Sequence, residues 1–124
     1  MSINTVTLIP FTEHGVPSGN YDGSSEDFFG DAAKGANYYR GRGGLQTIMI
    51  RVIGFIGTVT IQGTLDADPL TARWIDTYEY GDGSGGDGST TDVNITNVQG
   101  NFVWLRASVT AFTAGSIESV TASY

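Results

Sequence analysis

Apolar and polar residues alternate with a period of two along much of this chain, and this alternation is the feature that most constrains its fold. In Thr58–Leu65, the apolar Val59 and Ile61 alternate with threonines and Gln62, and Asn101–Phe112 repeats the pattern. A period of two places successive side chains on opposite faces of a β-strand. No segment combines the length and the 3.6-residue period of a convincing helix. The alternation therefore predicts an all-β fold.

Runs of strand-forming residues recur at short spacing and are separated by glycines. The chain has 18 glycines, which supply the positive φ that tight turns require. We interpret Gly54, Gly57, Gly100 and Gly115 as turn residues. The pattern predicts an antiparallel β-sandwich, jelly-roll-like, of about seven to eight strands, with residues 45–124 as the sandwich domain. The predicted strands are Thr5–Phe11, Leu45–Phe55, Thr58–Leu65, Trp74–Tyr80, Asp92–Val98, Asn101–Phe112 and Ile117–Tyr124.

Residues 1–44 form a separate region in this prediction, an N-terminal strand followed by an irregular arm. Thr12–Gly44 shows no sustained pattern, and a structureless loop of that length is uncommon inside a compact domain. We therefore expect an arm whose aromatic side chains are buried on a neighbouring subunit. Deletion of residues 12–44 should then leave the sandwich folded and weaken assembly. The candidate interface residues of the arm are Tyr21, Phe28, Phe29, Tyr38 and Tyr39.

Composition argues against several classes of function. The absence of Cys excludes disulfides and thiolate metal sites, which suits folding in a reducing cytoplasm. Six Lys and Arg against 13 Asp and Glu give a net charge of −7, which repels the phosphates of free nucleic acid. No run approaches the roughly 18 apolar residues of a membrane span. The first residues also lack the basic region of a secretion signal.

Catalytic and metal-binding patterns are weak, so we expect neither an enzyme nor a cofactor. His14 is the single histidine and is accompanied by no G-x-S-x-G motif. Asp66 and Asp68 offer two nearby carboxylates, but their position before Pro69 is more typical of a turn. The Gly- and Asp-rich segment Gly81–Thr91 does not match an EF-hand loop. An incidental calcium ion at this tip stays open.

Three aromatic residues, Trp74, Tyr78 and Tyr80, fall on one face of a strand with a period of two. Such a row has two interpretations. Exposed rings stack on sugars, as in carbohydrate-binding sandwiches. Trp and Tyr are equally typical of a core or a subunit interface, which is the interpretation we favour.

The second half of the chain resembles small structural proteins of tailed phages, particularly those of marine and cyanobacterial hosts. The resemblance covers about Gly54 to Tyr124. In such proteins a strand of the type G-x-I/V-x-I-Q/E-G/A-x-L leads into a D-x-P turn and a Trp, and a G-N-F-x-W/F-L-R-A-x-V segment follows. Here these motifs correspond to Gly57–Leu65, Asp68-Pro69 with Trp74, and Gly100–Val109, followed by the strand Ile117–Tyr124.

The resemblance implies a virion component made in the host cytoplasm, with no catalytic residues to carry over. We expect a capsid decoration or cement protein that packs against other virion proteins. A symmetric oligomer is expected, and a trimer suits local threefold positions of a capsid. The alternatives are a neck, tail, baseplate or fibre-attachment protein, or a carbohydrate-binding module. In the virion interpretation Arg106 forms an interface or a buried ion pair.

Overall fold

The computed structural model describes residues 5–34, 45–81, 90–100 and 102–123. In these residues eight strands form one antiparallel sheet and no helix is present, which confirms the predicted all-β, sandwich-like fold. The strands are β1 Thr5–Ile9, β2 Thr12–Glu13, β3 Phe28–Phe29, β4 Ala33–Lys34, β5 Leu45–Thr64, β6 Ile75–Gly81, β7 Thr90–Gln99 and β8 Trp104–Ser123.

Two strands of 20 residues each, β5 and β8, pair with each other along most of their length. A straight strand of that length would span about 65 Å. A compact domain of this size has a radius of gyration of about 14 Å. Both strands therefore have to bend, and their pairing register shifts between Arg51 and Thr58.

The bend corrects one prediction, because glycines expected to separate strands lie inside them. Gly54, Gly57 and Gly115 all have positive φ, and the first two lie where the register of β5 slips against β8. A β-bulge needs the same backbone freedom as a turn but leaves the strand continuous. The four strands predicted in this part of the chain are thus two long ones.

The bend divides the sheet into two halves that enclose one core. In the first half-sheet, residues 45–53 of β5 lie between β7 and residues 116–123 of β8, with β1 at the far edge. In the second half-sheet, residues 58–64 of β5 lie between β6 and residues 104–110 of β8, with β3 and β4 at the far edge. β2 pairs with β8 near the bend.

The core joins both half-sheets because their inward side chains belong to a single cluster. β1 contacts β4, which brings one pair of edges together. Gly30, after β3, lies so close to Leu8 of β1 that a Cβ there would clash with the Leu8 carbonyl oxygen. The buried apolar residues are Leu8, Ile9, Tyr21, Phe28, Ile48, Ile50, Val52, Phe55, Val59, Ile61, Val98, Leu105, Ala107, Val109, Phe112, Ile117, Val120 and Ala122.

The N-terminal segment is part of this core, which changes the interpretation of its aromatic residues. Tyr21 is 1% exposed and Phe28 is 8% exposed. Their ring centroids are 5.0 Å apart, and Tyr21 lies 5.3 Å from Phe112. The expectation that a neighbouring subunit buries these two rings is wrong, since the chain's own core buries them. Tyr38 and Tyr39 lie outside the described residues.

Candidate functional site

Two of the three aromatic residues expected to form a row lie on the core face of β6. Tyr78 is paired with Ile61 and Tyr80 with Val59, and both tyrosine rings pack against the core. The Tyr78 hydroxyl donates a hydrogen bond of 2.7 Å to Oδ1 of Asn94 on β7. This bond links the outer strand of the second half-sheet to that of the first. Tyr78 is therefore a structural residue at the seam between the half-sheets.

A bulge in β6 separates Trp74 from these tyrosines. Ile61 is paired with Tyr78, but the next residue, Gln62, is paired with Asp76, so Thr77 is an extra residue. One inserted residue moves everything before it to the other face of the sheet. The hydroxyl of Thr77 donates to the Ile61 carbonyl at 2.8 Å. The predicted row of three rings on one face is wrong.

Trp74 instead belongs to a group of side chains on the outer face of the second half-sheet, which we call the Arg106 cluster. The guanidinium carbon of Arg106 lies 4.2 Å from the centroid of the Phe29 ring and 4.4 Å from that of Trp74. The guanidinium cation therefore lies over two aromatic rings. The electron-rich faces of such rings attract a positive charge. The cluster consists of Phe29, Gln62, Trp74, Asp76 and Arg106.

Hydrogen bonds hold the polar side chains of the cluster in place on the outer face of the sheet. Arg106 is paired with Gln62 across β5 and β8, and its Nε donates to Gln62 Oε1 at 2.6 Å. The Gln62 amide in turn donates to Asp76 Oδ1 at 2.8 Å. This leaves the amide of Gln62 with one possible orientation, since its oxygen accepts and its nitrogen donates.

Burial and a nearby carboxylate act in opposite directions on the Arg106 charge. Partial burial lowers the pKa of Arg106 because it removes water from the charged form, and the charge of Asp76 opposes this shift. A guanidinium keeps its proton across the physiological range. The cluster therefore holds a permanent cation in a partly dehydrated position.

The sequence indicated part of this cluster. Alternation along β8 places Arg106 opposite the buried Leu105 and Ala107, and so on the outer face. Phe29 and Trp74 come from distant segments, and no local pattern joins them to Arg106. Among the residues expected in the arm, Phe29 is the one described ring that is exposed, at 47%.

A second surface, on the outer face of the first half-sheet, is apolar. Its residues Met49, Ile53, Val93 and Ile95 form what we call the outer apolar strip. Ile95 is paired with Met49, and Val93 is paired with Arg51, which lies between Met49 and Ile53 along β5. Ile53, Val93 and Ile95 are 45%, 53% and 59% exposed. Alternation showed that β7 has one apolar face, but the structure turns that face outward.

The other candidates for chemistry have structural roles or isolated positions. His14 is exposed, with its ring 5.3 Å from that of Phe112. Asp66 accepts a hydrogen bond from the Arg73 amide and Asp68 accepts one from the Leu70 amide, which is the geometry of the predicted turn.

Charged groups elsewhere do not gather into a metal site in the described part of the chain. There, no group of three or more His, Cys, Asp or Glu side chains lies close enough to hold a metal ion. The pKa of Asp22 falls to about 2 because its carboxylate accepts hydrogen bonds from the amides of Ser24 and Ser25, so this acid closes a local turn. Residues 82–89 of the Gly- and Asp-rich tip, where an incidental calcium ion stays open, lie outside the described residues.

Comparison with known proteins adds no family to these observations. Protein-family models, curated protein sequences and solved structures gave no significant match. None of the described segments is a helix long and apolar enough to cross a lipid bilayer. The features of the molecule that bear on function are therefore its two surfaces, the Arg106 cluster and the outer apolar strip.

Proposed function

We propose that this protein is a structural component of a tailed-phage virion, a capsid decoration or cement protein that acts by packing against neighbouring subunits. It is made in the host cytoplasm and assembles as a symmetric oligomer, for which a trimer suits local threefold positions. The resemblance over Gly54–Tyr124 supplies the virion setting. The outer apolar strip is the structural observation that supports packing as the mode of action.

The strip supports packing because its residues are apolar and adjacent, and because Ile53, Val93 and Ile95 are exposed while Met49 is half-buried. Neighbouring exposed apolar side chains on a folded domain are typical of a protein–protein contact, since burying them against a partner removes apolar area from water. Arg51, which lies between Met49 and Ile53 along β5, forms an ion pair with Glu118 at 3.3 Å, so the surface that carries the strip also has polar groups. Interfaces combine apolar and polar contacts in this way.

The carbohydrate-binding alternative requires Trp74, Tyr78 and Tyr80 to share one exposed face, and they do not share it. Stacking on a chain of sugars needs several rings on one open face. Tyr78 and Tyr80 lie on the core face, and one face of the Trp74 ring is covered by Arg106. The structure therefore favours subunit packing over sugar stacking.

Substitution in the strip tests the packing role. Val93→Lys with Ile95→Lys places two charges on the outer face, so we expect loss of oligomer formation in sedimentation velocity and loss of incorporation into particles. Thr7→Lys is the matched control, because Thr7 is exposed on the same half-sheet but lies on β1, away from the strip. Wild-type assembly by the double variant, with its fold confirmed by circular dichroism, would refute the role of the strip.

The number of copies in purified virions tests the setting and separates the two virion positions. Hundreds of copies per particle, measured by quantitative mass spectrometry, are expected for a capsid decoration protein. A handful of copies would instead place the protein in the neck, tail, baseplate or fibre attachment. The complete absence of the protein from virions would contradict the proposal.

A further inference from the structure

The Arg106 cluster holds a guanidinium group in a fixed plane. The guanidinium lies over the rings of both Phe29 and Trp74, and Gln62 accepts a hydrogen bond from Nε. An arginine side chain ordinarily loses several rotatable bonds of freedom when it binds a ligand. Here the stack and the hydrogen bond have already removed that freedom, so the cluster is organised in advance for binding.

The terminal nitrogens of the Arg106 guanidinium carry N–H groups that are available to a ligand. Within the described ranges, Nη1 and Nη2 of Arg106 have no hydrogen-bond partner and no ion pair. Asp76 makes no direct hydrogen bond to Arg106 among the described contacts, because its Oδ1 accepts from the Gln62 amide, although its charge acts on the guanidinium. Two parallel N–H groups at the edge of a planar cation match the two oxygens of a carboxylate.

We propose that Arg106 binds a carboxylate through Nη1 and Nη2, and that an Asp or Glu side chain of a second copy of this chain supplies it. The choice of a protein carboxylate follows from the surroundings, since the described residues form no row of rings that could hold a sugar acid. The choice of a second copy follows from charge. Each copy carries 13 Asp and Glu residues and only six Lys and Arg, so a fixed cation complements its own surface. This assignment of the partner depends on the proposed assembly, whereas carboxylate binding itself does not.

A titration with acetate tests the carboxylate site directly. In ¹⁵N NMR spectra we expect saturable shifts of the Arg106 Nε–H signal and of the Gln62 and Phe29 amides, which sodium chloride at equal ionic strength does not reproduce. Arg106→Lys retains the charge but loses the planar pair of donors, so the response should weaken at least about tenfold. Absence of any response specific to acetate would overturn the site.

A further variant, Asp76→Asn, distinguishes carboxylate binding from a purely structural stack. Asp76→Asn keeps an oxygen to accept from Gln62 but removes the competing negative charge, so acetate should bind several-fold more tightly. Arg73→Gln is the matched control for Arg106→Gln, because both remove one positive charge, yet Arg73 is exposed and belongs neither to the Arg106 cluster nor to the outer apolar strip. A structural stack predicts no effect of Asp76→Asn on acetate binding, and that result would contradict the proposal.

The source of the carboxylate is tested by self-association. Arg106→Gln should weaken the oligomer at least tenfold in sedimentation equilibrium, whereas Arg73→Gln should leave its dissociation constant within about twofold. Oligomers unaffected by Arg106→Gln would overturn the assignment to a second copy. Glucuronate binding more than tenfold tighter than acetate would likewise overturn it, in favour of an acidic sugar. Detection of the protein in virions is independent of all these results, so each proposal can fail separately.

Discussion

Buried hydroxyl groups in this protein differ in whether they find a hydrogen-bond partner. Thr12 is 1% exposed, and its Oγ1 donates to the Pro10 carbonyl at 3.0 Å. Thr58 is 3% exposed, and its Oγ1 has no partner among the described residues. A buried hydroxyl without a partner loses its hydration and gains nothing in exchange. Thr58 therefore lowers stability at a position next to the bend of β5.

Thr58→Val should stabilise the protein, because the substitution keeps the branched shape and removes the unpaired hydroxyl. We expect the free energy of unfolding to rise by about 1 kcal/mol. Thr12→Val removes a hydroxyl that does have a partner, and should lower the free energy of unfolding by about 1 kcal/mol. Urea denaturation of both variants measures the difference. Equal effects of the two substitutions would show that hydrogen bonding does not distinguish the two positions.

Residue patterns in the sequence place Arg106 on the face of β8 opposite Leu105 and Ala107, but they do not indicate its neighbours. Alternation assigns each residue of β8 to a face, since it depends only on adjacent positions. The stack with Phe29 and Trp74 depends on long-range pairing, in which β3 lies beside one edge of β8 and β6 beside the far edge of β5. Nothing in the sequence near any of the three residues specifies that pairing.

At the level of elements, the sequence located most of the β-structure but misjudged how it is joined. A glycine with positive φ serves equally in a turn between strands and in a bulge within one, so Gly54, Gly57 and Gly115 were open to both interpretations. The bulge at Thr77 has no glycine at all, and it reversed the faces of Trp74 and Tyr78. Alternation also cannot tell which face of β7 is buried.

Substitution of Gly115 tests whether the bend needs close contact between β5 and β8. A Cβ at Gly115, where φ is 84°, would clash with the Gly54 carbonyl group. Gly115→Ala should therefore lower the free energy of unfolding by more than the roughly 1–3 kcal/mol of an unfavourable backbone conformation. Gly15→Ala is the control, because Gly15 has a similar φ of 89° and no atom within 4 Å of its would-be Cβ.

Thermal unfolding of the two glycine variants separates backbone strain from steric contact. Gly15→Ala should show the conformational cost alone, and Gly115→Ala should show that cost together with displacement of the Gly54 carbonyl. Melting temperatures that fall by the same amount would mean that the two strands can separate at the bend without cost. In that case the bend would be held by other contacts.

At the scale of the whole molecule, residues 5–34 complete the fold rather than extend from it. β1 to β4 pair with β8, and this segment supplies Leu8, Ile9, Tyr21 and Phe28 to the core. Composition could not reveal this, because short strands of two residues carry too few positions for a period to be detected. The segment therefore resembles an irregular arm in sequence while its rings lie inside.

Deletion of residues 12–44 should abolish folding, which reverses the outcome expected from the sequence. The deletion removes Tyr21 and Phe28, and loss of one buried aromatic side chain costs about 3–5 kcal/mol. Domains are stable by only about 5–15 kcal/mol in total. Circular dichroism of the deletion variant should show loss of β-structure. If the deletion variant keeps a cooperative melting transition, residues 12–44 are an arm and not part of the core.

A point variant provides the same test with less disruption. Tyr21→Ala should lower the free energy of unfolding by about 3 kcal/mol or more. Phe11→Ala, at a position 57% exposed, should change it by about 0.5 kcal/mol or less. Urea denaturation measures both. Similar small effects of the two substitutions would contradict the central place of Tyr21 in the core.

The position of β8 along the chain has a consequence for synthesis. Five of the other seven strands, β1 to β5, pair with β8, yet β8 is the last of the described strands to leave the ribosome. Translation adds about 5–20 residues per second, so residues 5–100 wait for seconds without the strand that completes their sheet. During that interval the nascent chain exposes strands that can pair with those of other chains. Residues 5–100 carry 12 acidic and five basic residues, and this negative charge opposes aggregation because nascent copies repel one another until β8 emerges.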